Sequence, residues 1–244
     1  MSSAKTIATA ARVLIQLSHD HRTVAIILVV PCLLLWILKY MFNDDSVSYN
    51  RLAPMMLGIF PLLMMFLVTS IATLRERTHG TLDRLMTQPI SKLDFIFGYA
   101  IAFSIVGLIQ SVVLSSVTLW LLGVDIQGSQ LSLMVTSVAA AFLGTTMGLL
   151  VSAFAKSEFQ AVELVMPTLM PQVLLCGLFV PREKMSDLLE WISGGLPLTY
   201  SVDAIKQIST HADWTTDLTR DLWVVVGFGV MALVIGSITI RRQE

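Results

Sequence analysis

Twenty residues, from Arg75 to Asp94, read RERTHGTLDRLMTQPISKLD between two long apolar runs. The chemistry that these residue types can do is docking, not catalysis. Leu82, Leu85 and Met86 are spaced to share one face of a short helix, while Asp83 and Arg84 point away from it. Thr81 can cap the N-terminus of that helix, and Pro89, with no N–H to donate, ends it. A helix with one greasy side, held in water between two oily runs, offers that side to a groove on a soluble partner. A plain connecting turn at headgroup level is the other reading, and on residue pattern alone both stand. No reactive centre assembles elsewhere in the sequence. His19, His21, His79 and His211 lie outside the apolar runs, and none pairs with a nearby Cys at metal-binding spacing. An intramembrane serine protease needs a His inside a span, and no span has one. Lys156-Ser157 lacks the upstream glycines of a phosphate loop, so no nucleotide site is read there.

Composition dictates the elements that must hold this island. Hydrophobic residues make up 55% of the 244 residues and charged residues 14%, with a mean hydropathy of +0.76. A soluble domain carries about 25% charged residues. So much oil exceeds what one soluble core can hide, and the solvent must be a bilayer. A formal net charge of −1 argues against a nucleic-acid partner. Cys32 and Cys176 fall in apolar runs and read as small packing residues, not as a disulfide. Six runs approach the length of a membrane helix: Val24–Phe42, Leu52–Leu74, Phe95–Leu122, Leu131–Phe154, Ala161–Val180 and Leu222–Ile240. They do not alternate as barrel strands would. Pro167 and Pro171, four apart in the fifth run, should kink or loosen that helix. The expectation is an all-α integral membrane protein, one six-span transmembrane domain over residues 1–244. About twenty mixed residues precede the first run, more than a typical signal-peptide n-region, so that run is expected to be a permanent span.

Lys and Arg set the orientation. With the N-terminus in the cytoplasm, the inner side holds ten cations: Lys5, Arg12, Arg22, Arg75, Arg77, Arg84, Lys92, Lys156, Arg241 and Arg242. The outer side holds six: Lys39, Arg51, Arg182, Lys184, Lys206 and Arg220. Both termini are then cytoplasmic. Within residues 1–23, Ile7, Ala10, Ala11, Leu14 and Leu17 recur at helical spacing with polar residues between them, which favours an interfacial amphipathic helix over a frayed tail. The outer segment, residues 181–221, contains Met185, Leu188, Leu189 and Ile192 at i, i+3, i+4 and i+7, and a second apolar pattern from Pro197. Ile192-Ser193-Gly194-Gly195 shares wording with an ATPase signature, but it falls in this outer segment, away from ATP. Ala140, Gly144, Gly148 and Ser152 form a small-residue strip for close helix approach, within the subunit or at a dimer seam. Glu163 is the acid within a predicted span, with Gln160 in reach to hydrogen-bond it; the carboxylate either is buried and functional or reaches interfacial water.

Two blocks resemble a known family. Glu76, Gly80, Thr81, Leu82, Leu85, Pro89, Ile90 and Ser91 fit the pattern E-x-x-x-G-T-L-E-x-L-x-x-x-P-[IV]-S of the ABC type-2 permeases, with Asp83 where that family usually has Glu. Tyr99 stands where a Lys is frequent. Gly177, Phe179, Pro181, Met185, Pro197, Thr199, Tyr200 and Ala204 resemble the family's segment between its fifth and sixth spans, with Ser186 for a common Pro. The likeness covers nearly the whole chain and is nearest to the bacterial drug-resistance and polyketide-export type.

The resemblance implies a fold and a mechanism. Residues 75–94 would be the cytoplasmic coupling loop, with Glu76, Gly80, Thr81, Leu82, Asp83, Leu85, Met86 and Pro89 docking on a separate ATPase. Two such ATPase subunits would bind ATP and Mg, and this chain would hold no cofactor and have no enzymatic activity. A second permease subunit, the same or different, would complete the transporter in the bacterial inner membrane. The second and fifth spans would line the path of a hydrophobic or amphipathic substrate, with Met55, Phe60, Met64, Met166 and Met170 as its soft wall. Ordinary packing or lipid contact explains those five residues equally. A membrane scaffold or sensor that docks an ATPase without moving a substrate is the competing function. An ion-coupled carrier ranks below it, since it would need more mid-membrane ionisable groups than Glu163 alone.

Overall fold

A computed structural model of the chain describes residues 3–42, 45–78 and 92–239. All regular structure among the described residues is helical. Without water to satisfy it, an apolar run must close its backbone hydrogen bonds within itself, and the α-helix does so. Helix α1 is Ser3–His19, α2 is His21–Met41 and α3 is Ser46–Thr78. Helix α4, Lys92–Ser116, runs into a π-helical turn over Val117–Leu121, and α5 is Gln130–Ser152. Two short helices follow, α6 (Glu158–Glu163) and α7 (Val165–Leu175). Helix α8 is Asp187–Gly194, α9 is Pro197–Thr210 and α10 is Thr216–Thr239. Five stretches among the described residues are long and apolar enough to cross a membrane: His21–Met41, Ser46–Arg77, Leu93–Leu121, Gln130–Ser152 and Thr216–Thr239.

The expected fifth span, Ala161–Val180, is two helices instead of one. Pro167 has no N–H to give the carbonyl four residues back, at Glu163, and α6 ends there. Helix α7 ends at Leu175, before Gly177, whose φ of +87° few other residues adopt. Its 11 residues are about 16 Å long, short of a hydrocarbon core of about 30 Å. Glu163 is exposed, and Gln160 does not bond it: the Gln160 Oε1 accepts the Lys156 N–H at 2.8 Å.

The bundle is built around α3 and α5. A side chain at Gly144 would collide with the Leu62 carbonyl, and one at Gly148 would come within 2.5 Å of the Phe66 carbonyl oxygen. The small-residue strip thus seats α5 on α3 within the subunit, backbone against backbone. At 33 residues α3 is about 50 Å long, so one end must emerge into the headgroups or water beyond them. Helix α9 begins with Pro197 in its first turn, as the pattern from that residue predicts. It is core rather than a loose surface piece: Leu198, Val202, Ala204 and Ile205 are buried among α3, α5 and α10.

Helix α1 packs on α4. It does so through Thr6, Thr9, Ala10 and Val13, so only part of the apolar stripe faces protein, and Ile7 is exposed. The α1–α2 junction is Asp20 alone, whose carboxylate accepts the Thr23 N–H at 3.1 Å and the Thr23 hydroxyl at 2.6 Å. These bonds favour the ionised form and hold the Asp20 pKa below its ordinary value.

Candidate functional site

Three consecutive residues at the end of α3 reach three different neighbours. Successive residues lie about 100° apart around a helix, so a triplet fans outward. Arg75 donates from Nε and Nη2 to the two Glu158 oxygens of α6 at 2.8 and 2.9 Å, a fork-on-fork pair. Both side chains are about half exposed, so the pair contributes geometry more than stability. Glu76 turns inward and is 7% exposed. Its Oε1 lies 3.4 Å from Nη2 of Arg12 on α1. The same guanidinium nitrogen donates to the Tyr99 hydroxyl on α4 at 3.2 Å. Arg77 donates from Nη1 to the carbonyl of Ser152, the last residue of α5. A cation there satisfies a carbonyl that has no partner within its helix and meets the negative end of the helix dipole.

The far side of the island is tied to α1 as well. Asp94, in the first turn of α4, is 2% exposed and accepts the Thr6 hydroxyl at 3.2 Å. A side chain at Gly98 would stand 2.7 Å from the Thr9 Cβ, so α1 lies close against α4 at that point. Phe95, Tyr99 and Phe103 stack along α4 behind the brace, with neighbouring ring centroids 4.4 and 6.1 Å apart. The residues entering and leaving the island are therefore pinned to α1, α4, α5 and α6. A force on the island has polar and packed contacts through which to move those helices.

Of the expected coupling residues, Glu76 is a centre of this brace. Gly80, Thr81, Leu82, Asp83, Leu85, Met86 and Pro89 lie outside the described residues. Met55, of the expected substrate wall, is 3% exposed and shares a packed cluster with Leu62, Leu169 and Leu198. Phe60 and Met64 are half-buried. Met166 and Met170 on α7 are exposed, at 59% and 41%. Reading the sequence missed Arg12, Arg77 and Glu158 as brace residues. Only the charge alternation Arg75-Glu76-Arg77 signalled them, since the partners are remote in the chain. Tyr99, noted only as a departure from a frequent Lys, accepts from Arg12 beside the Glu76 carboxylate.

The sequence profile of the "ABC-2 type transporter" family matches residues 5–209, from α1 nearly to the end of α9. The chain belongs to that family. Among curated proteins, this ABC-2 type chain is 26% identical over 166 residues to "ABC transporter G family member 20" of Dictyostelium discoideum, covering 68% of this chain and 23% of that one. It is 28% identical over 155 residues to the "Probable multidrug ABC transporter permease YbhR" of Escherichia coli K12, covering 64% and 42%. With YbhS of the same organism, named in the same words, it shares 22% identity over 208 residues, covering 84% and 55%. The chain thus spans between about a quarter and about half the length of these relatives. The braced helix ends fall inside the matched region. The family and the apolar helices together make this a membrane protein of ABC transporter type.

Proposed function

We propose that this chain is the permease subunit of an ATP-driven exporter for a hydrophobic or amphipathic compound. The observation that carries the reading is the brace from Arg75, Glu76 and Arg77 to α6, α1 and α5, at the root of the island. Two copies of a separate ATPase dock on residues 79–91 through Leu82, Leu85 and Met86, and a second permease subunit completes the assembly. The ATPases hold ATP and Mg and close on binding them. The island moves, the brace carries that motion into α1, α4, α5 and α6, and the central path opens outward. Met55, Phe60, Met64, Met166 and Met170 border that path, and α6 with α7 and the turn after it forms the fifth of six crossings. Both termini face the cytoplasm of a bacterium, as the cation count favours.

Support comes from the family, from relatives named multidrug permeases, and from the polar brace beside the island. The test is ATP hydrolysis by the purified permease–ATPase complex in vesicles. Leu82→Asp, which places a charge on the docking face, abolishes substrate-stimulated hydrolysis while the permease still inserts. Full stimulation in that variant defeats the coupling assignment. Hydrolysis by the unaltered complex that ignores every substrate offered identifies the chain as a scaffold or sensor.

A further inference from the structure

A cavity of about 470 Å³ lies beside the brace, between α1, α2, α3 and α4. That is a size that holds small organic ligands. Its wall is mainly apolar, with Ile26, Leu67 and Ile71 among its residues. The polar groups are not a random mixture. Two carboxylates line it, Asp20 and Glu76, against one guanidinium, Arg75, which Glu158 already engages with both oxygens. Two aromatic rings, Tyr99 and Phe103, stand on the same wall. Glu76 is more than nine-tenths buried, and while Oε1 faces Arg12, its Oε2 has no hydrogen-bond partner among the described residues. A buried carboxylate oxygen left without a donor costs free energy. The simplest donor is one delivered through the cavity whose wall Glu76 forms.

We infer that this cavity binds an amphiphile with a protonated amine, its ammonium group between Glu76 and Asp20 beside the Tyr99 and Phe103 rings and its hydrocarbon along Ile26, Leu67 and Ile71. Carboxylates supply the countercharge, and ring faces add cation–π attraction in a partly desolvated site. An anionic head would meet two carboxylates, and the guanidinium groups beside them are already engaged, Arg75 by Glu158 and Arg12 by Glu76 and Tyr99. Asp20 is the residue just before the first spanning helix, so the polar end of the cavity lies at headgroup depth. A lipid amine and a free alkylamine carry the same head and reach the cavity equally well. The site shares no residue with the proposed substrate path and does not rest on export, because binding is read on the permease alone.

The test is equilibrium binding of radiolabelled dodecylamine to the purified full chain in phosphatidylcholine nanodiscs at neutral pH, with empty nanodiscs subtracted. One saturable site is expected, with dodecanol and dodecyl sulfate competing at least about tenfold more weakly. Asp20→Asn keeps a cap acceptor and removes a charge, and Leu67→Trp fills the cavity without touching either carboxylate. Each weakens binding by about tenfold or more while the helical circular-dichroism spectrum is retained. Equal competition by dodecanol or dodecyl sulfate overturns the inference, because the cavity then reads only grease. So does unchanged affinity in folded Leu67→Trp, because the amine then sits elsewhere. Repeating the measurement with phosphatidylethanolamine in the nanodiscs separates the sources. A lowered apparent affinity identifies the lipid headgroup as occupant, and an unchanged one identifies the free amphiphile.

Discussion

At the scale of single residues, the brace turns on Glu76, whose carboxylate is buried with one declared countercharge. Removing Arg12 leaves a buried carboxylate with the Tyr99 hydroxyl beside it but no countercharge, a greater loss than the pair itself contributes. The Arg12 side chain is 35% exposed, so water softens the effect. Arg12→Ala is expected to cost about 1–3 kcal/mol. Unfolding of the detergent-solubilised chain in denaturant measures it, and Arg12→Lys, which keeps the charge, should recover part of the loss. A change indistinguishable from zero would mean that Glu76 finds water or another donor. The sequence marked Glu76 through its place in a family pattern. It did not mark Arg12 or Tyr99 as neighbours of Glu76, because a contact between residues on three helices leaves no trace in local spacing.

Helices tell a similar story, with periodicity legible and partners hidden. The four-residue strip in α5 reads from the sequence as a surface for close approach, but only the fold shows that the surface it meets is α3. Adding a methyl at Gly144 puts it against the Leu62 carbonyl, and backbone cannot step aside as a side-chain tip can. Gly144→Ala should therefore destabilise by about 1–3 kcal/mol, despite the better helix propensity of alanine. A methyl at Gly227, inside α10, would meet no atom of the described residues within 4 Å, so Gly227→Ala should be neutral or gain up to about 1 kcal/mol. Equal effects from the two changes, in the same unfolding measurement, would remove the close approach from the account. The break in the expected fifth span has a cause visible in the sequence, because Pro167 lacks the donor that Glu163 needs. The proline pair predicts a kink or a loosened helix; hydropathy averaged over a window does not register one missing hydrogen bond, so the run still counts as one span. In α1 the error ran the other way. Thr6 and Thr9 are polar by type, yet both are buried where Gly98 lets α1 come close.

For the whole molecule, composition was enough to decide that the solvent is lipid and the elements are helices, because both follow from sums over many residues. Which end of the bundle faces the cytoplasm follows only from a cation count of ten against six, and it can be measured. The chain has two polar ends. One carries the Arg75–Glu158 pair and the Arg77 bond to Ser152. The other carries the Arg182–Asp203 pair at 2.8 Å and Asp221, held by Gln207 at 2.8 Å and by Arg220. Lys156 is exposed near the first end, and Ser186 is exposed near the second, where its side chain makes no cap bond to lose. With Cys32 and Cys176 both replaced by Ala, Lys156→Cys and Ser186→Cys place one thiol at each end. A membrane-impermeant maleimide added to intact cells should label Cys at 186 and spare Cys at 156 until the membrane is opened. The reverse pattern would put the island outside, where no ATP-hydrolysing partner could reach it, and the brace would then need a different purpose. Protection of both sites in intact cells, with labelling of both once the membrane is opened, would instead mean that the two polar ends do not lie on opposite faces of the bilayer. In that case the division of the fifth run into α6 and α7 marks a true return of the chain to the side it came from.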